Sequence, residues 1–248
     1  MYKTWSRTAE ICASECDISG AWRPGAMMEA LQEVAAVHCD LLGAGRAELR
    51  KKGAAWVVTR MQVEMNRYPR IGEKITVETF HTPVRRWFFP RYFIIRDEQG
   101  KQVGAAASLW VLLDLNTRHM IQPGQIELLM PDNSDLPAPL GLPGAVQDVG
   151  GVLQEWDFKP AYTDMDYNGH VNNTRYMDWC CNALGIELLA EKELATFTLN
   201  YHFEIRPGQQ VHAELKRLAD DFAYTAYVES ERRFEVGGTL RNRSGKDE

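Results

Sequence analysis

The chain has 248 residues, 45% hydrophobic and 25% charged, with a formal net charge of −6. This is an ordinary globular profile, long enough for one large domain or two of about 120 residues each. The acidic balance argues against a nucleic-acid partner, which favours a basic face, and no apolar run approaches the length of a membrane span.

The first half opens on an alternating segment that predicts a strand over about 2–14. "RPGAMMEALQEVAAVHCDLLG" then predicts a long helix, with Pro24 in its first turn and Gly43 at its C-terminal cap. Met27, Leu31, Val34, Ala35, His38, Leu41 and Leu42 recur at three and four, so one face is apolar. Strands follow near 54–66, 73–82, 87–97 and 102–114, with Asp97-Glu98-Gln99-Gly100 as a hairpin turn. "MPDNSDLPAPLGLPG" (130–144) has four prolines and no apolar period, and reads as a linker.

The second half repeats the scheme. A strand is expected near 151–159, a polar loop, a helix from about 172 to 190, then strands near 194–204, 210–218, 222–230 and 232–240. "YPRIGEKITVE" (68–78) matches "EIRPGQQVHAE" (204–214), and "DLLGA" resembles "NALGI". The chain therefore reads as a duplicated α+β unit: residues 1–129, a connector over 130–148, and residues 149–248. In each unit a sheet would wrap a long apolar helix, and joined edge strands would give one sheet.

Five cysteines (Cys12, Cys16, Cys39, Cys180, Cys181) are scattered, with neither a CxxC pair nor zinc-ligand spacing. Free thiols in a reducing cytoplasm are expected. The N-terminal residues carry no apolar signal core. No metal or other cofactor is implied. Cys180 and Cys181 read as small packing residues of the second helix.

The chemistry concentrates in "TDMDYNGHVNNTRYMDW", Thr163 to Trp179. A helix start needs one capping side chain, yet Asp164, Asp166, Asn168, His170, Asn172 and Asn173 all crowd this one. A carboxylate beside a helix N-terminus can act as base or nucleophile, and an imidazole can orient it or move protons. Backbone N–H groups of the first turn can hold an oxyanion. If the loop is extended, Asp166, Asn168 and His170 point the same way. Such a set suits acyl transfer to water.

These residues resemble the active-site segment of the acyl-ACP thioesterases, with its Asp-x-Asn-x-His-Val-Asn-Asn core followed by Lys or Arg and then Tyr. Here the core is Asp166, Asn168, His170, Val171, Asn172 and Asn173, followed by Arg175 and Tyr176. The segment 91–120 is similar to the family's first-domain segment through Arg96-Asp97, Ser108, Trp110-Val111 and Thr117-Arg118. The resemblance implies a tandem (double) hot-dog fold, hydrolysis of fatty acyl-ACP thioesters, and acyl carrier protein as partner. It also implies a fourth functional residue, a Glu in a strand, matched by Glu204 in "YHFEI". Ile205 follows, where many plant members carry Cys, so carboxylate chemistry is favoured over a thiol.

By this resemblance Asp166, Asn168, His170 and Glu204 form the catalytic set, with Asp166 attacking or Asp166 or Glu204 activating water. The first half lacks the cluster and is assigned the acyl pocket, with Val58 and Met61 in "AAWVVTRMQVEM" as lining residues. Arg85, Arg86 and Arg91, set among aromatics in "PVRRWFFPRYF", are candidates for docking the polyanionic carrier. An acyl-CoA thioesterase of the same fold is the first rival reading, and a hot-dog hydratase or dehydratase the second. The residues leave a homodimer open.

Overall fold

The repeat is a structural one. The structure, a computed structural model, describes residues 2–243. In chain order, β1 is Thr4–Glu10, α1 Pro24–Leu41, α2 Arg46–Lys51, β2 Ala54–Met65, β3 Lys74–His81, β4 Phe89–Asp97, β5 Gln102–Asp114 and β6 Met120–Ile121. The second half gives β7 Val152–Phe158, α3 Arg175–Leu184, α4 Ile186–Glu191, β8 Lys192–Tyr201, β9 Val211–Leu218, β10 Asp221–Val228 and β11 Glu231–Asn242.

All strands join one antiparallel sheet in the order β1-β3-β4-β5-β2-β8-β11-β10-β9-β7, with β6 on β5. The order is a palindrome under the repeat. Its centre is the β2–β8 pair, where Gln62 faces Thr198. Met61 opposite Leu199 and Val63 opposite Phe197 then exchange under a pseudo-twofold axis. This is the expected α+β double hot-dog. One edge of each unit is consumed by the other, which removes the unpaired N–H and C=O groups it would otherwise expose.

Both helices are wrapped by the sheet and share one core. Met27, Leu31 and Val34 of α1 belong to the same buried cluster as Met177 and Cys180 of α3, Val63 of β2 and Phe197 of β8. Burial of each large side chain contributes about 1.5–3 kcal/mol. Helix α1 starts with Pro24 at its first position, as expected. It ends in a Schellman closure: Gly43, at φ +68°, donates to the Asp40 carbonyl and Ala44 to that of Cys39.

Three expectations change. The second helix is broken at Gly185, whose φ of +89° and ψ of 158° end α3 and start α4; apolar periodicity does not register such a break. Helix α2 was not expected, because six residues with only Leu49 buried carry no period. Strand β1 stops at Glu10, and a 3-10 turn follows in which Glu15 accepts the Cys12 N–H at 2.8 Å.

The proline-rich segment is not a free linker. Buried Asn133 donates from Nδ2 to the carbonyls of Lys3 and His81, both at 2.8 Å. Leu136 and Leu140 pack on Phe80, Tyr92 and Ala107. Val146 N–H donates to Asn200 Oδ1 at 2.7 Å. The segment is a strap across the sheet face opposite the helices.

Near the axis the packing has no slack. A Cβ at Gly238, paired with Phe197, would meet the Thr196 carbonyl oxygen at 2.1 Å. Gly238→Ala is therefore expected to destabilise the fold by about 1–3 kcal/mol. At about 2–4 °C of Tm per kcal/mol for a chain of this size, calorimetry of the two proteins measures the drop; an unchanged Tm contradicts the tight β8–β11 seam.

Candidate active site

The polar stretch folds as a tight turn, and the expected extended loop is not what forms. Tyr162–Asp164 is a 3-10 turn in which Asp164 accepts the Ala161 N–H at 2.7 Å. Met165 then bridges Val171, Asp166 N–H donates to the His170 carbonyl, and Gly169 N–H donates to the Asp166 carbonyl. Gly169 sits at φ +83°, a conformation open to glycine at no steric cost. The turn therefore groups Asp166, Asn168 and His170, without strand alternation. Asn172 shapes the turn just before the helix, whose N-cap is Thr174: its Oδ1 accepts from Thr174 N–H and Oγ1, both at 3.1 Å, and its carbonyl from Arg175 N–H at 2.9 Å. Those two helix-start N–H groups are thus committed.

Glu204 lies three residues beyond the end of β8, outside any strand. It reaches the turn because Val171 N–H donates to the Ile205 carbonyl at 2.9 Å, which clamps the two loops together. His170 is held between two carboxylates, its Nδ1 3.8 Å from Asp166 Oδ1 and its Nε2 3.5 Å from Glu204 Oε2. All three side chains are half-buried. The Asp166 carboxylate accepts Asn168 N–H at 2.8 Å and Asn168 Nδ2 at 3.0 Å. All four expected residues thus meet in one place.

Two arginines complete the site. Arg118 Nη2 donates to Glu204 Oε2 at 2.7 Å, and Arg206 donates to Oε1 from Nη2 at 2.5 Å and from Nε at 3.1 Å. Burial pushes the Glu204 carboxyl up, but the hydrogen bonds of Arg206 and Arg118, with the charges of Arg118 and His170, outweigh it and hold it below the usual carboxylate range. Arg118 stands at φ +60° in the β5–β6 turn, where Asp114 accepts the N–H groups of Asn116 and Thr117. Arg46 of α2 donates to Asn168 Oδ1 at 3.1 Å and stacks 3.8 Å over the Tyr167 ring. With its oxygen engaged by Arg46, Asn168 presents its amide N–H groups toward Asp166. Sequence reasoning missed Arg46, because α2 gives no signal. Arg118 lay in the quoted Thr117-Arg118 pair, but nothing linked it to Glu204.

The remaining expected residues divide. Arg85 and Arg86 are exposed at a hairpin tip closed by Arg85 and Phe88. Arg91 is not a docking residue: it is 1% exposed, under α1. Its guanidinium contacts Thr79 Oγ1 (3.0 Å), Cys39 Sγ (3.1 Å), His38 Nδ1 (3.1 Å) and His81 Nε2, and no ion pair among the described residues includes it. Burial, then the charge of Arg91, lowers His38 to about 4, so it is neutral and accepts. Strand alternation hid this: Arg91 faces His81 and Ser108 on the inner face of the sheet. Val58 and Met61 are buried on that same face, because a bulge sets them opposite Trp110 and Ser108, two residues apart on β5.

Cys180 and Cys181 pack in or against the core, and burial pushes both thiols up, Cys181 to about 12. Among the described residues, one His/acid group is close enough to hold a cation, Glu155, His212 and Glu214 on β7 and β9; none belongs to the turn. The first half carries a mate of the turn. Asp17 N–H donates to the Ala21 carbonyl, Gly20 N–H to that of Asp17, and Trp22 N–H to that of Pro69. Ala21 stands where His170 does, and Tyr68, before Pro69, where Glu204 does.

Residues 2–125 match the family model described as the acyl-ACP thioesterase N-terminal domain, and residues 151–248 the one for the C-terminal domain. The chain belongs to the acyl-ACP thioesterase family. A palmitoyl-acyl carrier protein thioesterase of Gossypium hirsutum is 32% identical over 199 residues, 72% of this chain and 46% of that protein. An oleoyl-acyl carrier protein thioesterase of Arabidopsis thaliana is 28% identical over 206 residues, 73% of this chain and 55% of that protein. The chain spans about half the length of these curated relatives. A crystal structure of an acyl-ACP thioesterase from Bacteroides thetaiotaomicron is similar at TM-score 0.87 and 25% identity, over 96% of this chain and 98% of that one. The 12:0-ACP thioesterase of Umbellularia californica shares the fold at TM-score 0.80 and 21% identity, over 98% and 99% of the two chains.

In this acyl-ACP thioesterase family member, Glu204 is ionised above its depressed pKa and loses its charge only as pH falls below the ordinary carboxylate range. Removing Arg118 takes away one group that holds it low. Arg118→Gln is expected to move the Glu204 titration to higher pH, read from its side-chain carboxyl 13C shift. A midpoint equal to that of the unchanged protein overturns the assignment of Arg118 to this carboxylate.

Proposed function

We propose that this chain hydrolyses fatty acyl-acyl-carrier-protein thioesters, releasing free fatty acid and so terminating fatty acid synthesis. The observation that carries the reading is the convergence of Asp166, Asn168, His170 and Glu204 at one turn, in a chain of the acyl-ACP thioesterase family. Glu204 is clamped by two arginines and is a poor base. Among the described residues the Asp166 carboxylate accepts hydrogen bonds from Asn168 alone and pairs with no arginine. Asp166 is therefore the carboxylate that takes a proton from the attacking water, whose oxygen bonds to the thioester carbon as the C–S bond breaks and the thiolate leaves to recover that proton, and Glu204 is the one that fixes His170. The Asn168 amide hydrogen that Asp166 does not take, its orientation set by Arg46, donates to the developing oxyanion. A thiol with a free pKa of about 8.5 leaves readily, so His170 serves mainly to orient the carboxylates.

The acyl chain is assigned to the first half, past Met61 and Val58 on the inner face of β2. Supporting this are their burial and their common face, with Met61 opposite Leu199 at the seam with β8. Carrier docking is assigned to Arg85 and Arg86, supported by their exposure at a hairpin tip in an acidic chain. A cytoplasmic setting belongs to the same reading. Among the described residues no helix is long and apolar enough to cross a membrane; the curated plant relatives are chloroplastic by name.

A panel of acyl-ACP thioesters of graded chain length, run beside the matching acyl-CoA compounds, tests carrier and reaction together. Free acid is expected from the ACP series, Asp166→Ala is expected to lower turnover by about 10²–10⁴-fold, and Met61→Trp to shift the released acids to shorter chains. Near-normal turnover by a folded Asp166→Ala protein overturns the site assignment, and preference for CoA overturns the carrier.

Charge reversal at the hairpin tip isolates docking. The double variant Arg85→Glu, Arg86→Glu is expected to raise KM for acyl-ACP about tenfold at low salt, with the effect shrinking as salt rises. Small thioesters should be turned over as before. An equal loss on both substrates removes docking as the explanation.

A further inference from the structure

Tyr167 stands between Asp166 and Asn168, and it is 75% exposed. It adds nothing to the core. Its ring instead carries the guanidinium of Arg46, whose central carbon lies 3.8 Å from the ring centroid. At that distance the negative face of the ring attracts the cation.

Arg46 has a fixed root and a free head. It is the first residue of α2, and the chain just before it is tied down. Ala44 is fully buried; its N–H donates to the Cys39 carbonyl, and its own carbonyl accepts Trp56 Nε1–H at 2.9 Å. Among the described residues no carboxylate pairs with Arg46, and its guanidinium makes one hydrogen bond, to Asn168 Oδ1 at 3.1 Å. One exposed bond at the end of a long side chain competes with water and with rotamer freedom. Stacking on Tyr167 removes that freedom and leaves Nη2 aimed at the next residue of the turn.

Asn168 then has both ends of its amide engaged. Oδ1 accepts from Arg46, while Nδ2 donates to Asp166 Oδ2 at 3.0 Å. A flipped amide would set oxygen against carboxylate at one end and N–H against guanidinium at the other. The bond at Oδ1 also polarises the amide, which strengthens donation from Nδ2.

We infer that Tyr167 is a positioning residue: it clamps Arg46 of the first half onto Asn168 of the second, and so fixes the Nδ2 hydrogen that Asp166 does not take. Its kinetic consequence rests on the thioester reading above; the clamp itself rests on the stack and the two hydrogen bonds.

A kinetic double-mutant cycle on acyl-ACP tests the clamp. Tyr167→Leu is expected to lower kcat about fivefold and Arg46→Met about tenfold, with KM within about twofold, because the contact counts as the oxyanion forms. The double variant should also lose about tenfold; a loss near the product, about fiftyfold, would mean that the two residues act independently and would overturn the clamp. Tyr167→Phe keeps the ring and should rescue kcat. A rise in KM at constant kcat would make the pair a carrier contact and overturn the positioning role. Relaxation of the Arg46 Nε–H 15N signal, identified by its loss in Arg46→Met, reads the clamp without turnover. Its order parameter should fall in Tyr167→Leu and hold in Tyr167→Phe; an unchanged value in Tyr167→Leu overturns the clamp. Were the unchanged protein inactive on acyl-ACP while this signal responds, the thioester reading would fall and the clamp would stand.

Discussion

The pairing of β2 with β8 is the interaction on which the rest depends. Five residue pairs from Arg60–Asn200 to Glu64–Thr196 fuse two sheets into one. Without it, each unit would end on an open edge, and the helices would lose part of the core that they now share. The seam also decides how the candidate site is assembled. It brings the ends of each unit's loops against the other unit. The turn that carries Asp166 therefore meets Arg46, and Glu204 beside it meets Arg118, both arginines from the other half.

This arrangement explains how a half-exposed site keeps its charges in order. His170 has a carboxylate on either side, at 3.8 and 3.5 Å. Two anions near one imidazole would repel each other if nothing else balanced them. Arg118 and Arg206 offset the charge on the Glu204 side only, and Asp166 is left with neutral N–H donors. The two carboxylates thus differ in environment, and the separate roles proposed for them rest on that difference. Asn168 couples them to the rest of the chain, since its amide is fixed by Asp166 on one side and by Arg46 on the other.

Much of this was legible in the sequence. Strands β2 to β5 and β9 to β11 fall within one or two residues of the apolar alternation, and the repeat itself was visible in matching letters. The four candidate site residues were legible through a short pattern in one turn and a glutamate expected in a strand, which lies instead on the loop after β8. What stayed hidden has common physical causes. Gly185 breaks a helix through its backbone conformation, which periodicity does not sense. Arg91 reads as a surface cation, yet it is inward because His81 and Ser108, its cross-strand neighbours, are inward. Arg46 and Arg118 act across the seam, and a reading along one chain segment has no access to a contact between residues 86 apart, as in the Arg118–Glu204 pair. The proline-rich strap looked like free chain because its anchors, Asn133 and Val146, bond to backbone and side chains far away in sequence.

The duplication also shows what each part of the turn contributes. Both copies keep the geometry: an acid whose carbonyl receives the N–H of a positive-φ glycine, and a clamp onto the loop after the second strand of the unit, Trp22 to Pro69 in one and Val171 to Ile205 in the other. That geometry is a folding requirement, since it sets the entry to each long helix. The side chains laid on it are free to differ. In the first half Asp17 pairs with Arg243 and Ser19, Ala21 has no proton to move, and Tyr68 has no charge to lend. In the second half the same backbone holds Asn168 and His170 and faces Glu204. A shared scaffold with divergent side chains accounts for a histidine between two carboxylates at one turn and none at the other, with no change in the fold between them.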